Sequence, residues 1–284
     1  MRKILILFTT LALFTLSSAC NANQPRTKAE KAGWKLSMQS YTLHRFTAVE
    51  ALDKTQQLGL KYIEIYPGQK MGGEFGEAVF GYTLSGGDQA KLKAIAAEKG
   101  IKIISSGVWT AQRDEWEKIF RFAKEMELEF ISAEPALDDW DVVEELARDY
   151  KMKVAVHNHP NEQSYWKPEI LLNAIENRSE LLGSCADVGH FKRMDLDPLA
   201  CIKQLKGRII ALHFKDIAPV DPDSTLEDVV WGTGVLNVKA MLEELKHQGF
   251  KGYFTIEYEA NWENNLPEIK ESINYFNEVV EEIF

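Results

Sequence analysis

From about Trp34 onward, short apolar runs alternate with longer stretches whose apolar residues recur at helical spacing. The short runs are WKLSMQSY, KYIEIYPG, IKIISSGVW, EFISAEPA, KVAVHNHP, SCADVGH, IIALHFKD and YFTIEYE. Each is rich in β-branched residues and is stopped abruptly by a polar cluster, the pattern of a strand buried on both faces of a parallel sheet. The stretches between them carry helix boundaries. Thr47 with Glu50 forms a capping box, and Gly59 stops that helix. Asp88, Asp114 and Asp138 or Asp139 are expected to open the next three helices. Pro168, the pair Asp197-Pro198, Asn237 and a start near Pro267 serve the later ones. Consecutive parallel strands need a crossover helix, so strict alternation dictates a parallel sheet. Eight units favour closure. The expectation is a single-domain α/β protein, a (β/α)8 TIM barrel, spanning residues 33–284.

Two loops after strands are long. The segment from Pro67 to Gly87 is glycine-rich and reads as a mobile lid or rim; the segment from Ala218 to Gly234 contains the tight turn WGTG. No GxGxxG or GxxxxGK[ST] follows a strand, so the nucleotide-binding version of an α/β fold lacks its signature.

The N-terminus reads as a targeting segment. Arg2 and Lys3 precede an apolar run from Ile4 to Leu16, then Ser17, Ser18, Ala19 and Cys20. Residues 1–19 are expected to be a signal peptide, with Cys20 as the first mature residue and residues 20–32 as a linker. LSSAC resembles a lipoprotein signal, although Ser17 stands where such signals usually place leucine; secretion by cleavage after Ala19 or Ala22 is the alternative. The expected location is therefore outside the cytoplasm, periplasmic or held to a membrane by an N-terminal lipid.

A chain of 284 residues suits one barrel, and 45% hydrophobic with 27% charged residues is ordinary globular composition. The formal net charge of −10 repels a phosphate backbone, so no nucleic-acid partner is expected. Cys185 and Cys201 fall in the barrel body; Cys185, inside an apolar strand, is read as a small buried hydrophobe, and neither cysteine is assigned chemistry.

Chemistry concentrates in the second half. The last four strands end in His157 and His159, Asp187 and His190, His213 and Asp216, and Glu257 and Glu259. His157, Asp187, His213 and Glu257 lie 30, 26 and 44 residues apart, where one strand–helix unit requires about 30. Metal-ligand side chains at the carboxyl ends of parallel barrel strands converge on one mouth.

ADVGH, ALHFKD, WGTG and GYFTIEYE together resemble the xylose isomerase-like barrels, a superfamily of sugar isomerases, sugar epimerases, inosose dehydratases and endonuclease IV. The resemblance implies a divalent metal held by Asp187, His213 and Glu257, with His157 in the place where epimerases carry a glutamate. Two carboxylates and two imidazoles suit Mn²⁺, Co²⁺ or Zn²⁺, with Mg²⁺ the poorer match. It also implies a small carbohydrate substrate, from which Glu257 or His157 removes a proton beside a carbonyl, the metal stabilising the enediolate. Lys215 is expected to stabilise the developing oxygen charge, or else to pair simply with Asp216.

His190, Glu134, Glu64 and His159 are expected to contact substrate or to cap strand ends, and Trp109, Trp231, Trp166 and Tyr66 to provide an aromatic wall. His44 is read as a rim residue, and His247 as solvent-facing without a role. Isomerisation or epimerisation is the leading outcome, and β-elimination from a keto-glycoside is the alternative, since His157 replaces one of two epimerase carboxylates. Phosphodiester hydrolysis and non-catalytic sugar binding are the other readings weighed. A homo-oligomer is left open.

Overall fold

The computed structural model describes residues 27–219 and 226–284. The expected signal peptide and the Cys20 junction lie outside the described residues. Eight parallel strands close into a barrel: β1 (Trp34–Gln39), β2 (Tyr62–Ile65), β3 (Lys102–Trp109), β4 (Phe130–Ala133), β5 (Lys153–His157), β6 (Leu182–Asp187), β7 (Ile209–Phe214) and, closing against β1, β10 (Gly252–Ile256). They coincide with the eight runs read from the sequence. The other two strands, β8 (Asp216–Pro219) and β9 (Leu226–Val229), form a separate antiparallel ribbon.

Side chains alternate along each strand, so the barrel has two distinct cores. The inner one is narrow: Ile104, Phe130, Ala155, Cys185, Ala211 and Tyr253 fill the lumen. The outer one holds the intervening residues, such as Ile63, Ile131, Val154, Val156, Leu212, Phe214, Phe254 and Ile256, packed under the helices. Two residues above the lumen plug, the inward rows turn polar: Ala155 leads to His157, Cys185 to Asp187, Ala211 to His213, and Tyr253 through Thr255 to Glu257. Thr255 bonds Ser37 across the interior at 2.6 Å. The register pairs Asp187 directly with His213.

Helix ends match the capping logic with local differences. Thr47 and Glu50 form the capping box, and Pro168, Pro198 and Pro267 occupy first turns. The helix expected to open at Asp88 begins earlier, at Gly86, because Ser85 caps it by accepting from the Asp88 N–H. Part of the expected linker is a short helix, Lys28–Ala32, with its own Thr27–Glu30 capping box. The glycine-rich stretch from Pro67 to Gly87 is a packed rim: Met71, Phe75 and Phe80 are buried, and Phe80 and Gln69 exchange backbone bonds with the chain around them.

The loop after β7 is organised by Asp216. Its carboxylate accepts four backbone N–H groups: Ile217 (2.9 Å), Gly232 (2.9 Å), Gly234 (2.9 Å) and Leu236 (3.1 Å). Gly234 is required because a Cβ there would strike this carboxylate. The expected alternative, an ion pair of Lys215 with Asp216, is overturned: Asp216 is a loop clamp facing away from Lys215's partners. An Asp216→Ala change leaves these N–H groups without their acceptor. It should lower unfolding stability by about 3 kcal/mol or more, read as a lower urea midpoint at unchanged slope. Asp216→Asn, which keeps one acceptor oxygen, should lose less.

Candidate metal centre

At the carboxyl end of the barrel, His157, Asp187, His213 and Glu257 each offer a ligand atom, and these atoms lie within 4.8 Å of one another. All four side chains are buried. His157 comes from β5, Asp187 from β6, His213 from β7, and Glu257 follows β10, so four strands aim at one point.

Two imidazoles are oriented from behind by carboxylates. Glu64 Oε1 lies 2.9 Å from His213 Nε2 and also accepts the Gln39 amide at 2.5 Å. Both His213 nitrogens therefore face carboxylates, Nε2 meeting Glu64 from behind and Nδ1 facing the centre, 3.1 Å from Glu257 Oε2, where a bound ion would take the place of the Nδ1 proton. Glu134 Oε1 lies 3.1 Å from His157 Nδ1, which leaves His157 Nε2 facing Asp187 Oδ2 at 3.5 Å. Histidines that bind metals characteristically hand their second nitrogen to such a partner, which sets tautomer and ring direction.

The centre is short of positive charge. Lys215 is fully buried, with Nζ 3.0 Å from Asp187 Oδ2, 2.9 Å from Glu257 Oε2 and 3.2 Å from Glu259 Oε2. Even with Arg193 shared between Glu259 and Asp228, one ammonium cannot balance Asp187 and Glu257 together with Glu64 and Glu134. His213 is consequently drawn well above the usual imidazole range: burial opposes this, and Cys185, Glu257 and Glu64 outweigh it. His157 moves the same way, Asp187 and Glu134 outweighing burial. Burial also works against ionising Asp187, but Lys215 and His157 hold its carboxyl well below the ordinary range. Glu257 is likewise depressed, against burial, by Lys215 and His213. His157 Nε2 is buried without a hydrogen-bond partner, and Asp187 Oδ2, 3.5 Å from it, is met by the Lys215 ammonium. Buried carboxylates in excess, and an unpaired imidazole nitrogen beside them, fit a divalent cation held by His157, Asp187, His213 and Glu257.

Around this centre the expected site residues divide. His190 (7% exposed) lies 3.6 Å through Nε2 from Asp187 Oδ2. Burial, Lys215 and His157 keep it neutral, outweighing Asp187. His159 is about half exposed, its Nδ1 2.6 Å from Glu134 Oε1. Glu134 also receives the Ser164 hydroxyl at 2.8 Å, and Glu64 is fully buried, so both carboxylates sit behind histidines. Trp109 bonds Ser106 and stacks on Tyr82 at 5.7 Å. Tyr66, Tyr41, His44 and Trp262 form a ring cluster, with Tyr41 5.4 Å from Tyr66 and His44 4.2 Å from Trp262. Trp166 lies under the Lys167 ammonium.

Trp231 is a correction. It is 1% exposed and packs between Phe214 and Phe276 in the outer core, so no substrate can stack on it. Phe214 neighbours inward-facing His213 and therefore points outward, and Trp231 follows it. Gln39, Arg193 and Asp228 were not anticipated. Gln39 was legible as the residue two beyond inward-facing Ser37, and Arg193 as the residue one helical turn after His190. Asp228 gave no local sign.

The chain matches the family model described as "Xylose isomerase-like TIM barrel" over residues 52–279. A curated relative, an inosose dehydratase from Lactiplantibacillus plantarum, is 27% identical over 192 residues, spanning 60% of this chain and 60% of that enzyme. An uncharacterised protein from Parabacteroides distasonis, solved by crystallography, is 38% identical, covers 87% of this chain and 99% of its own, and superposes with a TM-score of 0.71. The IolI protein, crystallised with a bound zinc atom, is 18% identical over 88% of this chain and 99% of its own, with a TM-score of 0.67, a likeness of fold. With four fifths of its length inside the family model and its barrel closed as that fold requires, this chain belongs to the xylose isomerase-like TIM barrel family.

Proposed function

We propose that this protein is a divalent-metal-dependent enzyme that removes a proton beside the carbonyl of a sugar or cyclic polyol, and that β-elimination follows. The observation that carries the reading is the convergence of His157, Asp187, His213 and Glu257, whose ligand atoms lie within 4.8 Å of one another in a buried cluster, with His157 Nε2 left without a hydrogen-bond partner. When bound, the metal supplies Lewis-acid polarisation of the substrate carbonyl.

Glu257 is the base. Its Oε2 takes the contacts from His213 and Lys215, and Oε1 takes part in neither, so one oxygen is anchored while the other can receive a proton. Lys215 holds a full positive charge beside that position, its ammonium kept protonated by Asp187 and Glu257 against the effect of burial. A fixed ammonium in a dry site stabilises negative charge as it builds on the substrate oxygens. The electron pair of the broken C–H bond forms the new C=C bond as the neighbouring C–O bond breaks, and the departing oxygen takes up a proton. Elimination needs one base, and His157, in the place of a second carboxylate, is turned toward the ligand set by Glu134. The relative named inosose dehydratase supports this outcome.

Epimerisation or isomerisation is the second reading, favoured by His159. Glu134 holds its Nδ1, which leaves Nε2 as an acceptor on a half-exposed ring at the mouth, where a second base would stand. Proton exchange separates the two. In D₂O, NMR of the protein with a keto-glycoside and with a ketose should show release of the leaving group from the glycoside. Deuterium incorporation without release would establish isomerisation.

Titration calorimetry with Mn²⁺ or Zn²⁺ should give one ion per chain. Asp187→Ala and His157→Ala should each weaken that affinity by two orders of magnitude or more, while Glu64→Gln, which acts only through His213, should lose about 10- to 100-fold. Binding unaffected by Asp187→Ala and His157→Ala would place the ion elsewhere. Glu257→Gln should lower kcat by at least ~100-fold; turnover near the wild-type rate would remove Glu257 as base.

A further inference from the structure

Beside the metal centre runs a chain of contacts that the proposed reaction does not use. Arg193 ends the short helix Val188–Arg193, one turn after His190. Its Nη1 lies 3.1 Å from His190 Nδ1 and 3.3 Å from Glu259 Oε2. Its Nη2 donates to Asp228 Oδ1 at 2.5 Å, and its Nε to the Leu226 carbonyl at 3.4 Å. Asp228 uses its other oxygen to accept the Glu259 N–H at 2.9 Å, so β9 of the ribbon, the end of β10 and this helix are tied at one guanidinium.

A guanidinium has only donors. The nitrogen facing it must offer a lone pair, so His190 Nδ1 is an acceptor and the ring's one proton sits on Nε2. That N–H is 3.6 Å from Asp187 Oδ2 and lies beside His157, with ring centroids 5.5 Å apart. His157, His159 and His190 offer nitrogens close enough together to suggest a second metal position. A protonated Nε2 has no lone pair for a metal, and Arg193 holds the other nitrogen.

We propose that Arg193, braced by Asp228 and Glu259, is a positioning residue that fixes His190 as the Nε2–H tautomer, reserving it as a hydrogen-bond donor to a substrate oxygen and excluding it from metal ligation. The centre is then mononuclear. The acceptor oxygen's identity rests on the carbohydrate reading above, with the departing oxygen of the elimination as the natural partner; the tautomer does not rest on it.

The test is long-range ¹H–¹⁵N NMR of the zinc-loaded chain labelled at histidine, with the His190 signals identified by their loss in His190→Gln. The wild type should show His190 protonated at Nε2 and unprotonated at Nδ1. Arg193→Leu should shift it toward a tautomer mixture and lower kcat/KM by roughly 10- to 100-fold, as loss of a residue orienting a site histidine does. Arg193→Lys, still a donor, should restore the wild-type signature. Asp228→Asn offers a second, milder perturbation, expected to move the same signals if Arg193→Leu does not fold. Zinc content should be one per chain in both the wild type and His190→Gln. Protonation at Nδ1 in the wild type, a tautomer unmoved by the Arg193 or Asp228 changes, or a second zinc lost in His190→Gln would each overturn the inference. The wild-type signature in a protein without sugar turnover would contradict the enzyme reading and leave this one standing.

Discussion

Unbalanced negative charge, buried where the barrel opens, governs the rest of the molecule. Carboxylates rarely go into a protein interior without partners, since desolvating one costs several kcal/mol. Here Glu64, Glu134, Asp187 and Glu257 are withdrawn from water within reach of one another, and the permanent cation among them is Lys215. The remaining polar groups are arranged to share that charge. Glu64 and Glu134 lean on histidines, Asp187 and Glu257 on the ammonium, and Glu259 bridges Lys215 to Arg193. His157 Nε2, buried without a hydrogen-bond partner, points at the place a divalent ion would fill.

The barrel makes this arrangement tolerable because its lumen is stratified. A dry plug of Phe130, Tyr253, Ile104 and small residues seals the lower end. Above it come hydroxyls such as Ser37 and Thr255, then the charged layer. Each layer is two residues further along every strand, so a single alternation rule sets depth, polarity and chemistry together. The same rule sends Phe214 and Trp231 outward beside inward-facing His213.

That rule also explains which parts of the site were legible from the residues. The strands announced themselves as apolar runs, and ligand-type residues at their ends marked His157, Asp187, His213 and Glu257. Counting two forward from inward-facing Ser37 finds Gln39 as well. Trp231 was misread because a tryptophan in a loop after a strand says nothing about which side of the sheet it covers. Lys215 and Asp216 are neighbours in sequence, but alternation parts them: one side chain enters the lumen, and the other clamps a loop on the outer side. Asp228 was invisible because its role depends on an antiparallel ribbon that pairs residues a dozen positions apart.

The most direct measurement is anomalous diffraction from crystals grown with Mn²⁺ or Zn²⁺. The account predicts one peak per chain, within bonding distance of His157 Nε2, Asp187, His213 Nδ1 and Glu257, with His190 outside the coordination sphere. A peak elsewhere, or none while Lys215 still bridges Asp187 and Glu257 at saturating metal, would contradict it.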